Sequence, residues 1–186
     1  VNKFSLVFAR LVNIIYIPSF RNITNIGEKE NYFDISTGSA FINQWELWQN
    51  QGSNEQARII AKIRDDIKNI FDYTDLQINP SRPEQTLRLV IGGETYSLNE
   101  VGSGIAQFII CLTNVALKKP DFIFIDEPEL HLHPALQKKF LLALARYTQE
   151  GSVVYSTHSL GLARLAEKSF SLNKVGANTN IKPFGW

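Results

Sequence analysis

Methionine is absent from the 186 residues, and cysteine occurs once, at Cys111. A single thiol cannot close an internal disulfide, which argues against a disulfide-stapled secreted module and for a reducing compartment, the cytoplasm. Cys111 lies in the apolar run 105–112, where a small buried hydrophobe is expected. Charge of either sign is not in excess: 19 basic against 18 acidic side chains leave +1, so only a local patch could attract nucleic acid. No apolar run is long enough to cross a bilayer. The best candidate, "VNKFSLVFARLVNIIYIPSF", is split by Arg10 and ended by Pro18, so neither a signal peptide nor a membrane partner is expected. A chain that begins at Val1 and holds no methionine is expected to be part of a longer polypeptide.

What is present is the composition of a globular domain, 44% hydrophobic and 20% charged, at a length that supports one proper core. Residues 11–17, "LVNIIYI", predict a strand closed by Pro18, and 20–40 read mainly as loop. In 54–71 the isoleucines at 59, 60, 63, 67 and 70 share one helical face, while Arg58, Lys62 and Asp66 belong to a solvated one. Trp45 and Trp48 could mark a partner surface but fit better as core of a helical insertion over 41–72. "QTLRLVIGGETYSL" predicts a hairpin about Gly92-Gly93.

Beyond it the rhythm changes. "GIAQFIICLTNVALKKP" reads as an apolar helix that follows a glycine-rich loop and stops at Pro120. "DFIFID" is a short apolar strand without alternation, which predicts burial on both faces of a mainly parallel sheet. A helix opened by Pro134 and followed by Gly151, the strand "SVVYS" and a last helix within "SLGLARLAEK" complete the order. Strand alternating with helix predicts an α/β architecture, a parallel sheet flanked by helices. In such sheets the functional crevice lies beyond the carboxyl ends of the strands. Asp126 and Glu127 end one strand and His158 follows another. Two adjacent acids at the end of a buried strand are costly unless a cation or a reacting phosphate offsets them. Mg²⁺ takes one or two carboxylates with phosphate oxygens and water, and a hydrolytic water needs a carboxylate to orient it. The strand therefore predicts a nucleotide site.

These residues also carry a resemblance. "FIFIDEPELHLHP" looks like the Walker B segment of ABC-type ATPases, in the form found in the OLD and RecF-like branch of the proteins labelled AAA family ATPases. "VVYSTHS" resembles that branch's histidine-switch segment, and "SLNEVGSGIAQFI" resembles its signature loop and helix. The likeness covers 85–165 most strongly, and "IPSFRNI" near the front is similar in a weaker way. It implies a P-loop NTPase fold, with 1–186 a single partial ATPase head and 97–165 its signature, Walker B and histidine-switch core. By the same resemblance Asp126 holds Mg²⁺, Glu127 is the general base toward water, and His158 senses the γ-phosphate of ATP. Gly102, Ser103 and Gly104 form the signature loop that meets the nucleotide of a second head, and Arg21 lies near the phosphates. A homodimer is implied, coupled to DNA or to a nuclease partner, with a role in DNA processing or phage defence.

Two departures accompany the likeness. The family's signature has serine before its glycines, whereas here the order is Gly102-Ser103-Gly104, which puts the serine's contact in question. No G-x-x-x-x-G-K-[ST] occurs anywhere. In the family that loop precedes all the segments seen here, so residues 1–186 alone are expected to bind ATP poorly. His131 and His133 could pair on a metal, but "LHLHP" is a common turn in the branch and no cysteine supports ligation. The alternative reading is a nucleotide-independent interaction or regulatory module, which the missing loop favours and the acid cluster opposes. A transporter's ATPase subunit fits "DEPELHLHP" less well.

Overall fold

The computed structural model describes residues 13–19, 31–32, 34–149 and 152–184. Three strands form a parallel sheet in the order β1 (Ile14–Ile17), β7 (Phe122–Asp126), β8 (Ser152–Ser156). Ile17 lies opposite Ile125, and Asp126 opposite Ser156, so the carboxyl ends of β7 and β8 lie level with each other. The other strands are antiparallel: the two-residue β2 (Asn31–Tyr32) and β3 (Ile35–Ser36), then β4 (Gln77–Ser81), β5 (Thr86–Ile91) and β6 (Glu94–Ser97), and finally β9 (Phe170–Val175) and β10 (Asn178–Pro183). The α/β class with a parallel sheet flanked by helices is therefore observed, although that sheet holds only three of the described strands.

The helices follow the sequence pattern closely. α1 (Gly38–Glu46) runs into a π-helical turn, Leu47–Gln51, and α2 (Asn54–Ile70) begins with a reciprocal capping box. Ser53 Oγ accepts from Gln56 N–H, and Gln56 Oε1 accepts from Ser53 N–H at 3.0 Å. Trp45 is fully buried, so the tryptophans serve packing here. β5 and β6 turn through Gly92 and Gly93, both with positive φ, as a two-residue hairpin requires. β4 was not foreseen: Pro80 within it donates no hydrogen bond, which a sheet tolerates on an edge strand such as this. The β9–β10 hairpin was not foreseen either, because its exposed, polar-rich strands carry no core signature.

α3 (Ser103–Lys118) is the centre of the fold, with every residue from 106 to 116 buried. Its Phe108 sits edge-on to Phe140 of α4 (Pro134–Arg146), ring centroids 4.8 Å apart, and to Phe71, 5.1 Å apart. Buried Asn114 satisfies itself twice on β3, accepting from Ser36 N–H at 2.9 Å and donating to its carbonyl at 3.2 Å. Cys111 is fully buried, and burial pushes its thiol above the usual range.

One expectation needs correction. The apolar β7 predicted burial on both faces, yet the parallel sheet is covered on one. Ile15, Ile17, Ile123 and Ile125 join the core with α3 and α4. Tyr16, Phe124 and Val154, in register across the three strands, are 36%, 37% and 50% exposed. Local sequence reports how apolar a strand is, not what covers it; among the described residues nothing covers this row.

Candidate nucleotide site at the strand ends

β7 delivers Asp126 half-buried to the sheet's carboxyl edge. Ser156, opposite it on β8, donates its hydroxyl to Asp126 Oδ1. The chain then turns sharply. Glu127 takes a left-handed φ of 47°, unusual for a residue with a side chain, and its N–H donates to Ser156 O at 3.1 Å. That backbone twist separates two adjacent carboxylates, so Glu127 points toward the loop after β8. Its Oε1 lies 3.1 Å from His158 Nε2, with the Glu127 side chain 24% exposed and that of His158 89% exposed.

Beyond Pro128 the loop stays tight. Leu130 N–H donates to Glu127 O and Leu132 N–H to Glu129 O, each at 3.1 Å. His131 also has a positive φ, 61°. His133 Nδ1 accepts from Ala135 N–H as the N-cap of α4, with Pro134 in the first turn. Among the described residues, no three His, Cys, Asp or Glu side chains gather as a metal cage.

Glu129 is the residue that sequence reasoning passed over. Its Oε1 accepts three hydrogen bonds from the loop after β8: Thr157 Oγ1 at 2.7 Å, His158 N–H at 2.8 Å and Ser159 N–H at 3.2 Å. Ser159 in turn caps the short α5 (Leu160–Leu165), accepting from Leu162 N–H. The signal was present but faint: a third acid in "DEPE" and a later run "STHS" whose consecutive N–H groups form an acceptor-seeking turn.

Asp126, Glu127 and His158 border one cleft of about 820 Å³. Its far wall is apolar, from Leu160 of α5 to Phe170 and Leu172 of β9. The volume suits a ligand of nucleotide size. Gly102, Ser103 and Gly104 do not line it. They form the start of α3, where Gly102 is the N-cap with a φ of 87° and no side chain caps the first amides. A side chain at Gly104 would come within 3.2 Å of the His131 carbonyl, so the glycine lets the two loops meet. Gly102 and Ser103 are exposed. Arg21 lies outside the described residues.

Comparison with known proteins gives one family match. The family model described as AAA ATPase domain matches residues 14–163, which include every described site residue. Two solved structures are similar. One, from work on ATP-driven dimerization and DNA-stimulated activation of SMC ATPases, is 14% identical, with 69% of this chain and 86% of that chain covered and a TM-score of 0.45. The other, an SMC head bound to the C-terminal winged-helix domain of ScpA, is 13% identical, with 77% and 49% covered and a TM-score of 0.48. No curated protein matches by sequence. With a family model matching 14–163 and two acids level with a histidine segment at the ends of parallel strands, the chain belongs to the AAA ATPase domain family.

Proposed function

We propose that the chain is part of an ATP-binding and ATP-hydrolysing head of the OLD and RecF-like kind, working as a dimer with composite sites. One observation carries this reading: the ends of β7 and β8 bring Asp126, Glu127 and His158 to one cleft, with Glu127 and His158 3.1 Å apart. Glu127 is the general base, since its carboxylate is half-buried, borders the cleft and lies 3.1 Å from His158 Nε2. His158 reaches the same place from the other strand and meets the terminal phosphate, so the two side chains exchange their mutual contact for water and phosphate when nucleotide enters.

Asp126 with the neighbouring Ser156 hydroxyl fits Mg²⁺, an ion that keeps several waters and shares phosphate oxygens instead of needing a full protein cage. Bound there, the ion neutralises phosphate charge. What remains for the protein is positioning and electrostatic stabilisation. The uncapped amides at the start of α3, from Gly102, Ser103 and Gly104, form an anion site at a helix N-terminus and face a second head's nucleotide. Residues 41–72, which take in most of α1 and all of α2, are the helical insertion of the head, and Arg21 contributes near the phosphates. The output acts on DNA or on a nuclease partner in the cytoplasm. Among the described residues no helix is long and apolar enough to cross a membrane.

The test is nucleotide retention and association state in Glu127→Gln. It uses the gene's full product beside residues 1–186. With Mg·ATP the full product carrying the substitution should hold unhydrolysed ATP and sediment as a dimer, while 1–186 binds weakly. A monomer without nucleotide in both would remove the catalytic reading and leave an interaction module in its place.

A further inference from the structure

His158 has almost nothing packed around it, since its side chain is 89% exposed. What places its imidazole is therefore its own backbone and the contact to Glu127. That backbone is held from below by one carboxylate oxygen, Glu129 Oε1, which gathers the Thr157 hydroxyl and the N–H groups of His158 and Ser159. Ser159 N–H also donates to Thr157 Oγ1 at 2.9 Å, closing the turn on itself. Glu129 comes from the loop after β7, the same loop that carries Glu127. One side chain thus ties the loop bearing the acid to the loop bearing the histidine, across 28 to 30 residues of sequence.

A mere anchor does not account for this choice of residue. Glu129 Oε2 is buried and, among the described residues, has no hydrogen-bond partner, a costly state for a carboxylate oxygen. A serine, threonine or asparagine could bind one of those amides without a spare buried oxygen. A carboxylate accepting several donors at one point gives stronger, charge-assisted bonds and fixes three consecutive residues together.

We propose that Glu129 is the positioning residue for His158: it sets the height and direction of the histidine loop relative to Glu127, acting through His158 and not on the nucleotide itself. This inference rests on the ATPase reading above. Removing the carboxylate frees residues 157–159, and the exposed imidazole loses its aim. A misplacement of about 1 Å at a reacting centre costs on the order of 100-fold in rate.

The experiment is a double-mutant cycle of Glu129→Ala and His158→Ala in the full-length protein. ATP turnover is read as kcat and KM, beside hydrogen exchange at 157–159. Glu129→Ala should lower kcat about 10- to 100-fold with KM nearly unchanged, and the double variant should be no slower than His158→Ala alone. Glu129→Gln, whose amide oxygen can still accept from the same donors but without the charge, should recover only part of the rate lost in Glu129→Ala. Exchange at 157–159 should quicken in Glu129→Ala while α3 keeps its protection, which separates loop release from loss of fold. Effects on kcat that multiply in the double variant, or unchanged exchange at 157–159, would overturn the proposal. Glu127→Gln and the wild type serve as the control for the underlying reading. If the wild type shows no ATP turnover, the ATPase reading fails; if the variant hydrolyses ATP like the wild type, Glu127 is not the base. The exchange result still decides whether Glu129 holds the loop.

Discussion

The body of α3 and the loops at the ends of β7 and β8 are built by opposite rules. Around α3 most side chains are apolar and interlocked, and buried Thr113 and Asn114 find partners, although the buried Gln107 Oε1 has none among the described residues. At the strand ends, a few residues away, two acids sit side by side and two non-glycine residues take left-handed backbone. The first region has the local agreement expected of a fold under selection for stability. The second breaks several of the same rules at once, which in a native protein marks a site where geometry serves chemistry.

The contrast can be broken most severely from the packed side. Phe108→Ala removes a fully buried ring that bridges Phe71 and Phe140, and should cost about 3–5 kcal/mol in chemical denaturation. A loss under about 1 kcal/mol would mean that this core is looser than its burial implies.

A smaller loss is expected at Tyr147, whose hydroxyl donates to Asp66 Oδ2 at 2.6 Å. Tyr147→Phe should cost about 1 kcal/mol. Burial first, and then the hydrogen bond to Asp66, push the phenol's pKa above its ordinary value. A raised pKa means that the folded state favours the neutral phenol. The deficit of the variant should therefore be constant at neutral pH and shrink only as pH rises above the ordinary tyrosine value of about 10. Stability curves of the two proteins at pH 7 and pH 11 check this.

The least effect, and of opposite sign, belongs to the strand-end loop. His131 is exposed with a φ of 61°, so His131→Gly should raise stability by about 0.5–1 kcal/mol by relieving left-handed strain. If the variant is instead destabilised, the loop is not strained at that point and the contrast between the two regions weakens.

How much of this was legible from sequence follows the same divide. α2 was readable from isoleucines at helical spacing, α3 from a long apolar run after a glycine-rich loop, and α4 from Pro134 at its start and Gly151 beyond its end. β7 and β8 were readable as short apolar runs, and so were Asp126, Glu127 and His158 as polar residues at their ends. The polar β9 and β10 were not, and neither was β4, whose Pro80 looks like a strand breaker until its edge position is known. That Tyr16, Phe124 and Val154 are partly exposed among the described residues was not legible, because a run of β-branched and aromatic residues is equally apolar whether one side or both are covered. Glu129 escaped for a different reason. Its role depends on two turns bringing a carboxylate under amides 28 to 30 residues away, and no local spacing encodes that meeting.

The central claim is that Glu127 removes a proton from the water that attacks ATP. The most direct test is steady-state Mg·ATP turnover of the full-length protein against its Glu127→Gln variant, at saturating nucleotide. The account predicts a fall in kcat of about 100- to 10,000-fold, with ATP still bound. Equal turnover in the two proteins would contradict it, since an amide at position 127 cannot accept the proton.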